Sequence, residues 1–147
     1  MWVAGCSTGE EAYTLAISAM EHMRRSGEYR DVKIFATDID RDAVLVAGSG
    51  IYPESIAADV SPDVLSRYFY RRGDRFQVVH SIREMVVFAQ HNLIKDPPFT
   101  NIDLISCRNL LIYLQPVLQK KVLEMFNFSL NPKGILLRSE EHTSELQ

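Results

Sequence analysis

The chain has 147 residues, of which 46% are hydrophobic, and a formal net charge of −3. These values are typical of one domain with its own core, and they give no electrostatic reason to expect a nucleic-acid partner. No apolar run approaches the length of a membrane span, so we expect no membrane insertion and a cytoplasmic location. The two cysteines, Cys6 and Cys107, are expected to be free thiols, and the four scattered histidines predict no metal site.

The chain begins with a short apolar strand that stops at a loop of small residues. This loop runs from Gly5 to Gly9 and opens into an amphipathic helix predicted from Glu11 to Arg25. Strand, small-residue loop and helix in this order form the entry of a nucleotide-type site, where a ligand approaches the backbone closely. Glu10 and Glu11 stand where a phosphate-binding loop carries lysine, which favours a ligand with cationic or hydroxyl groups. Ordinary α/β packing is the alternative explanation for the loop by itself.

A second acidic position follows the next predicted strand, which runs from Val32 to Thr37. Asp38 comes directly after it, where doubly wound folds place the carboxylate that holds ribose hydroxyls. Its distance from Gly9 exceeds the roughly 20 residues usual in dinucleotide sites, because a full helix and a loop intervene. A chelating acid one strand away from a loop without lysine is the arrangement that an S-adenosyl donor needs.

The middle of the chain predicts a helix over Arg41 to Ala47 and then an insertion at about residues 68–84. Within it, residues 68–70 and 76–80 form a predicted hairpin, which is out of place in a parallel sheet. Its turn carries Arg71, Arg72 and Arg75, which suit an acidic partner. A solvated turn is the alternative.

Two further strands complete the predicted sheet, over Met85 to Ala89 and Ile102 to Ser106. Asn92 follows the first of them, where an asparagine can recognise an adenine edge or form an Asx turn. Because the carboxyl ends of parallel strands meet at one edge, we expect the candidate ligand residues to converge there. A helix from Pro116 to Leu130, a closing turn over residues 131–134 and a last strand from Ile135 follow.

Five short segments occur in order along this pattern. They are Cys6–Glu11 followed by Tyr13, Ala36–Asp40, Ser49–Tyr52, Asn92–Leu93 and Cys107–Tyr113. Together they resemble the CheR-type chemotaxis methyltransferases, from Trp2 to about Leu137. Residues 50–56 and 96–99 are most similar to the hybrid members fused to methylesterase and sensory modules.

The resemblance implies an α/β, Rossmann-like doubly wound methyltransferase fold with a small antiparallel insertion. It also implies transfer of a methyl group from S-adenosyl-L-methionine to a glutamate carboxylate of a chemoreceptor-type protein, with S-adenosyl-L-homocysteine as product. In the family, the antiparallel insertion can dock a receptor tail by strand addition, here at Tyr68–His80. Two alternatives are a small-molecule methyltransferase of the same fold and a non-catalytic donor-binding or docking module of a signalling protein.

The resemblance further implies a set of site residues. The donor is expected at Gly5, Ser7, Thr8, Gly9, Glu11, Asp38, Asn92, Leu93, Arg108 and Asn109. Of these, Glu11 is expected to bind the methionine part, Asp38 the ribose and Asn92 the adenine. The catalytic candidates are Tyr113, which orients the acceptor, Asn109 near the transferred methyl group, and Arg108, which either neutralises the incoming glutamate or braces the loop. For Tyr113, a capped core tyrosine is the alternative.

The two ends of the chain lead to two further expectations. Family members have an upstream Thr-x-Phe-Phe-Arg-type segment and a helical domain, so we expect residues 1–137 to be a catalytic-core fragment with little or no activity of its own. Residues 138–147 break all periodicity and are the translation of a common sequencing-library adapter. We therefore expect them to be a non-native tail.

Overall fold

The computed structural model describes residues 1–108 and 110–138. The strands are β1 (Trp2–Ala4), β2 (Ile34–Asp38), β3 (Ile51–Pro53), β4 (Phe69–Arg72), β5 (Arg75–Val78), β6 (Val86–Gln90), β7 (Ile102–Cys107) and β8 (Leu130–Arg138). The helices are α1 (Glu10–Ser26), α2 (Arg41–Ser49), α3 (Pro62–Tyr68), α4 (His80–Arg83) and α5 (Pro116–Ser129), with 3₁₀ turns at Glu54–Ala58 and Leu111–Tyr113.

The main sheet is parallel and has the strand order β6-β2-β1-β7-β8. The chain moves outward from β1 to β6 on one side and then returns to build β7 and β8 on the other side. The order therefore reverses between β1 and β7, and open α/β sheets bind ligands at such a switch point, outside the carboxyl ends of the strands. The expected doubly wound α/β fold is confirmed.

The central strand β1 divides the core into two layers. Consecutive strand residues point to opposite faces, so Val3 packs with α1 and the small sheet, whereas Trp2 packs with α5. On the α5 side, the Trp2 ring meets the edge of Phe126 with 5.4 Å between ring centroids. Both residues are fully buried. Coverage of both faces explains why all three residues of β1 are buried and apolar instead of alternating with polar residues.

The insertion is a three-stranded antiparallel sheet with the order β3-β5-β4. The hairpin of β4 and β5 is confirmed, but the sheet begins at Ile51, well before the predicted start near residue 68. Strand β3 was missed because it has only three residues and ends in a proline, and it becomes a strand only by pairing Tyr52 with Phe76 of β5. The insertion is thus interleaved with α3, which lies between its first and second strands.

The carboxyl-terminal part differs from the predicted pattern in one respect. The turn expected at residues 131–134 lies inside β8, where the register against β7 shifts between Ile102 and Leu104. Arg138 still pairs with Cys107, so the strand runs one residue past the predicted end of the core, and residues 139–147 of the predicted tail lie outside the described residues. Across the described part of the chain, no helix combines the length and the apolar character needed to cross a membrane.

Candidate functional site

The carboxyl ends of β1, β2, β6 and β7 form one edge of the main sheet, called the rim below. At its centre, Asp38 contacts the β1–α1 loop (Gly5–Gly9), because the Ser7 amide donates to Asp38 Oδ2 at 2.8 Å. The second oxygen, Oδ1, accepts from the Asp40 amide at 2.9 Å. The rim thus joins the two sequence-predicted features, the small-residue loop and the carboxylate after β2, by a direct hydrogen bond.

The loop backbone adopts a conformation that few residues tolerate. Gly5 and Gly9 have φ values of +73° and +97°, and Ser7 has +50° although it is not glycine. A Cβ on Gly9 would lie 2.8 Å from Ala47 Cβ, so this position excludes any side chain. Glycine adopts such values without strain, whereas a non-glycine residue such as Ser7 is strained there, and such strain is concentrated at functional sites. The bond from Ser7 to Asp38 holds that strained turn in place.

The side chains of Glu10 and Glu11, at the start of α1, have different surroundings. Glu11 is half-buried and accepts a hydrogen bond from the hydroxyl of Ser106, which is 1% exposed in β7. Glu10 is exposed and accepts from the Thr8 hydroxyl. Glu11 is therefore turned along the rim towards β7, where Ser106 orients its carboxylate.

A cavity of about 150 Å³ opens at the rim between the ends of β2 and β6. Its wall includes four sequence-predicted donor residues, Gly5, Asp38, Asn92 and Leu93, and apolar side chains of Ile39, Ile94, Leu110 and Leu114. Pockets for small ligands commonly measure about 300–1,000 Å³, so this cavity has room for one end of such a ligand. Larger grooves lie elsewhere, between α1 and α3 and along α5, away from the rim.

Asn92 forms the Asx turn that was one of its two sequence-based interpretations. Its Oδ1 accepts from the amides of Ile94 at 2.9 Å and Lys95 at 3.2 Å, which is an Asx turn. The same residue lines the cavity. The turn therefore fixes the loop after β6 and leaves a role in adenine recognition as a prediction.

Two further predicted residues, Arg108 and Tyr113, follow β7 on either side of Leu110, which lines the cavity. Arg108 is exposed just after β7, and Tyr113 is 79% exposed in the 3₁₀ turn that follows. The alternative of a core tyrosine is therefore wrong for Tyr113. Neither side chain lines the cavity, and Asn109 lies outside the described residues.

Both cysteines are free and buried next to the rim. Burial, with a further contribution from the charge of Asp38, raises the pKa of the Cys6 thiol to about 12. Burial, together with the charge of Glu11, raises the pKa of the Cys107 thiol to about 12 as well. The thiolate is the nucleophilic form of cysteine. These side chains are therefore uncharged packing groups at neutral pH.

Two residues of the site were missed from the sequence. Ser106 reaches Glu11 across 95 positions of the chain, and Tyr52 donates to the carbonyl of Thr8 from the inserted sheet at 2.7 Å. For Ser106 a signal exists in retrospect, since its hydroxyl lies near the carboxyl end of β7, at the edge where ligand residues were expected. Tyr52 belongs to the Ser49–Tyr52 segment that carries the resemblance, but nothing local indicates its contact, which depends on how the inserted sheet packs against the loop.

Comparison with known proteins places the sequence in a family. Residues 1–144 match the family described as "CheR methyltransferase, SAM binding domain". The chain is 43% identical over 136 residues to an "Uncharacterized 104.1 kDa protein in hypE 3'region" of Rhodobacter capsulatus, covering 92% of this chain and 14% of that protein. It is 36% identical over 146 residues to a "Chemotaxis protein methyltransferase" of Borreliella burgdorferi, covering 97% and 52%. The chain thus spans about half the length of this last relative and a smaller share of the first.

Solved structures share the architecture at low sequence identity. The "DhpI-SAM-HEP complex" superimposes with a TM-score of 0.58 at 14% identity, covering 99% of this chain and 50% of that one. The "PKMT2 from Rickettsia typhi in complex with AdoHcy" gives a TM-score of 0.56 at 15% identity, covering 93% and 20%. At such identities the likeness concerns the fold alone. Together with the sequence match over almost its whole length, the fold shows that this chain belongs to the CheR methyltransferase, SAM-binding domain family.

Proposed function

We propose that this chain is the donor-binding core of an enzyme that methylates the side-chain carboxylate of a glutamate in a chemoreceptor-type protein. The methyl donor is S-adenosyl-L-methionine, and the product is S-adenosyl-L-homocysteine. One observation carries the proposal: the hydrogen bond that joins Asp38 to the Ser7 amide within a strained small-residue loop at the switch point of the sheet. The family to which the chain belongs supports both the donor and the type of reaction.

The donor-binding roles follow from which side-chain oxygens of the rim can accept further hydrogen bonds. An ionised carboxylate has about four lone-pair sites. Asp38 engages one backbone amide at each oxygen, so it can still accept from ribose hydroxyls. Glu11 accepts from Ser106 at Oε1, and its negative charge suits the ammonium group of the methionine part. Asn92 and Leu93 line the partly apolar cavity, which suits the adenine ring.

The proposed reaction depends more on the positioning of the two reacting groups than on proton transfer. A glutamate side chain ordinarily has a pKa of about 4.3 and is already ionised at neutral pH, so no general base is needed. The bound donor supplies a methyl group on a positively charged sulfur, a leaving group that departs as a neutral thioether. What the protein contributes is the alignment of a carboxylate oxygen with that methyl group and the exclusion of water. In this proposal, exposed Arg108 draws the acceptor carboxylate in and Tyr113 orients it.

The acceptor protein is proposed to dock at the hairpin Tyr68–His80. Strand β4 pairs only with β5 and lies at an edge of the small sheet, so its free backbone groups suit strand addition. Arg71 is already paired with Glu54 at 2.8 Å, and Arg72 donates to Gln77 at 2.9 Å. Backbone hydrogen bonds should therefore contribute more to docking of the acceptor than the charges of these arginines do.

The two cysteines are buried free thiols, which suit the reducing cytoplasm, and we place the reaction there.

Calorimetric titration with S-adenosylhomocysteine tests the donor site on this chain directly. Transfer of a labelled methyl group to the cytoplasmic part of a receptor, measured on the full-length protein, then tests the reaction. We expect a base-labile methyl ester on the wild-type receptor and none on a receptor whose methylated glutamates are replaced by glutamine. Absence of any S-adenosylhomocysteine binding would refute the proposal.

Deleting residues 71–75 distinguishes a protein acceptor from a small-molecule acceptor. The deletion removes the hairpin turn, which is shorter than predicted, together with Arg71 and Arg72 of β4 and Arg75 of β5, and so shortens the proposed docking edge without removing a residue of the rim. We expect unchanged S-adenosylhomocysteine affinity and weaker methylation of the receptor. Unchanged receptor methylation would instead favour a small acceptor that does not use the insertion.

A further inference from the structure

The inserted antiparallel sheet contacts the β1–α1 loop through one tyrosine. Tyr52, the middle residue of β3, is 5% exposed, and its hydroxyl donates to the carbonyl oxygen of Thr8 at 2.7 Å. The same hydroxyl lies 3.1 Å from the place that a Cβ on Gly9 would occupy. The missing side chain of Gly9 is thus what lets the tyrosine approach the loop.

This contact is a second anchor of the loop besides Asp38. The Ser7 amide is bound by Asp38, and the carbonyl of the next residue, Thr8, is bound by Tyr52. Between these two anchors the backbone passes through positive φ values at Ser7 and Gly9. A strained turn persists only where its surroundings over-determine it, and here two neighbouring residues are fixed by side chains from two different sheets.

The surroundings of Tyr52 keep its hydroxyl a donor. Burial raises the pKa of Tyr52, so the phenol stays protonated throughout the physiological range. Its ring meets the edge of Tyr13 at 6.1 Å between centroids, and the Tyr13 hydroxyl donates to the carbonyl of Ala47 at 2.6 Å. A phenylalanine at position 52 can keep this ring packing while losing the single hydrogen bond to the loop.

Strand β3, which carries Tyr52, is joined to the hairpin by pairing with β5 and by the bonds of one buried glutamine beside it. Gln77 of β5 is buried, and its amide donates to the carbonyl of Ser49 at 2.9 Å, just before β3. Its Oε1 accepts from the Tyr70 hydroxyl and from Arg72, both in β4. Gln77 therefore ties the residue that precedes β3 to the hairpin strand β4, while Tyr52 contacts the loop by its own separate hydrogen bond.

We propose that Tyr52 is a positioning residue of the donor site: it holds the Thr8 carbonyl so that the β1–α1 loop keeps its donor-binding conformation, and it couples the inserted sheet to donor binding. The inference rests on the proposed function, because that function names the donor as the ligand of the loop. It adds a role for the insertion beyond docking. Since coupling between two sites is reciprocal, donor binding in turn stabilises β3.

The test compares two variants that each remove one hydroxyl from the same small sheet. Tyr52→Phe loses the bond to the loop, whereas Tyr70→Phe loses a bond to Gln77 inside the sheet. A hydrogen bond of ordinary net strength corresponds to about a fivefold change in a binding constant. We expect the Kd for S-adenosylhomocysteine, measured by calorimetry, to rise about fivefold in Tyr52→Phe and to stay within about twofold in Tyr70→Phe.

Hydrogen exchange supplies a readout that a purely structural role does not change. In the wild-type chain, saturation with S-adenosylhomocysteine should slow exchange of the backbone amides of Ile51 and Tyr52, although they lie in the other sheet. In Tyr52→Phe, that remote protection should disappear while the loop amides remain protected by the ligand. Thermal unfolding without ligand establishes that both variants are folded.

The outcomes separate the inference from the function on which it rests. If the wild-type chain does not bind S-adenosylhomocysteine, the proposed function fails. If it binds and Tyr52→Phe binds equally well, the positioning role is overturned and the function stands. Equal losses in Tyr52→Phe and Tyr70→Phe also overturn it, because the effect then belongs to the stability of the small sheet.

Discussion

By the roles proposed above, the rim has a donor half (Asp38, Glu11 and Asn92) and an acceptor half (Arg108 and Tyr113), and the two halves differ in how exposed their side chains are. In the donor half, Asp38, Glu11 and Asn92 each accept a hydrogen bond from the protein itself. In the acceptor half, Arg108 is exposed, and Tyr113 is 79% exposed. One half is therefore organised before any ligand arrives, and the other is open to solvent.

The difference matches the two kinds of ligand in the proposed reaction. A small donor gains affinity when the site is already ordered, because less conformational freedom is lost on binding. A protein acceptor brings its own backbone and side chains, and such partners commonly change side-chain conformations at the interface. Substitutions in the donor half should therefore alter affinity for S-adenosylhomocysteine, and substitutions in the acceptor half should alter methyl transfer only.

The largest effect on the donor half is expected for Gly9→Ala. The new Cβ would lie 2.8 Å from Ala47 Cβ in a residue with a φ of +97°. Left-handed strain and overpacking together lower the free energy of unfolding by about 2–5 kcal/mol. Gly27→Ala is the matched control, since Gly27 has a φ of +74° with no atom within 4 Å of the added Cβ. Denaturant unfolding and calorimetry should show S-adenosylhomocysteine binding lost in Gly9→Ala and retained in Gly27→Ala; equal behaviour of the two would contradict the packing argument.

Asp38→Ala should have the second-largest effect on the affinity for S-adenosylhomocysteine. It removes the acceptor of the Ser7 amide and the proposed ribose ligand. Hydrogen bonds to charged groups contribute about 1.5–3 kcal/mol each, so affinity for S-adenosylhomocysteine should fall about tenfold to a hundredfold. Asp40→Ala provides the control, because Asp40 accepts from the amides of Asp42 and Ala43 at the start of α2. Its loss should lower stability by about 1 kcal/mol and leave affinity unchanged.

Glu11→Gln should have a smaller effect. Glutamine keeps an oxygen that can accept from Ser106 but removes the charge proposed to attract the donor's ammonium group. We expect about a tenfold loss of affinity for S-adenosylhomocysteine, with a weaker dependence on salt than in the wild-type chain. Glu10→Gln removes an exposed charge from the same turn and should change the Kd by less than about twofold. Similar losses in both variants would point to the helix dipole in place of a specific contact.

Tyr113→Phe should change neither the structure of the donor half nor its affinity for S-adenosylhomocysteine. Because Tyr113 is 79% exposed, loss of its hydroxyl should change stability by less than about 0.5 kcal/mol and donor affinity not at all. Methyl transfer to a receptor, measured on the full-length protein, should fall about tenfold or more if the hydroxyl orients the acceptor. A changed Kd for S-adenosylhomocysteine would break the division of the rim into two halves.

Contacts that follow from the order of elements along the chain were predictable. The meeting of Asp38 with the β1–α1 loop was foreseen because parallel strands place their carboxyl ends at the same edge. The small-residue loop between Gly5 and Gly9 was also foreseen, as a place where a ligand approaches the backbone closely. The positive φ of Ser7 was not, because serine carries no preference for it.

Contacts that depend on packing between sheets were not predictable. Strand β3 has three residues and no strand pattern of its own, so neither its pairing with β5 nor the reach of Tyr52 was visible. Glu11 was singled out, but its partner Ser106 was not, because that bond requires β7 to lie beside β1. The exposure of Tyr113 likewise depends on how the turn after β7 sits against the sheet.

The sequence by itself determined the α/β class, the helix that follows the small-residue loop, and the carboxylate after β2. Each of these depends on hydrophobic periodicity, glycine and side-chain chemistry within a short stretch of chain. Only the tertiary structure decided that a third strand completes the insertion, that Tyr52 and Asp38 both hold the loop, and that Glu11 is oriented by Ser106. Those contacts join residues tens of positions apart, and no local propensity selects which distant elements become neighbours.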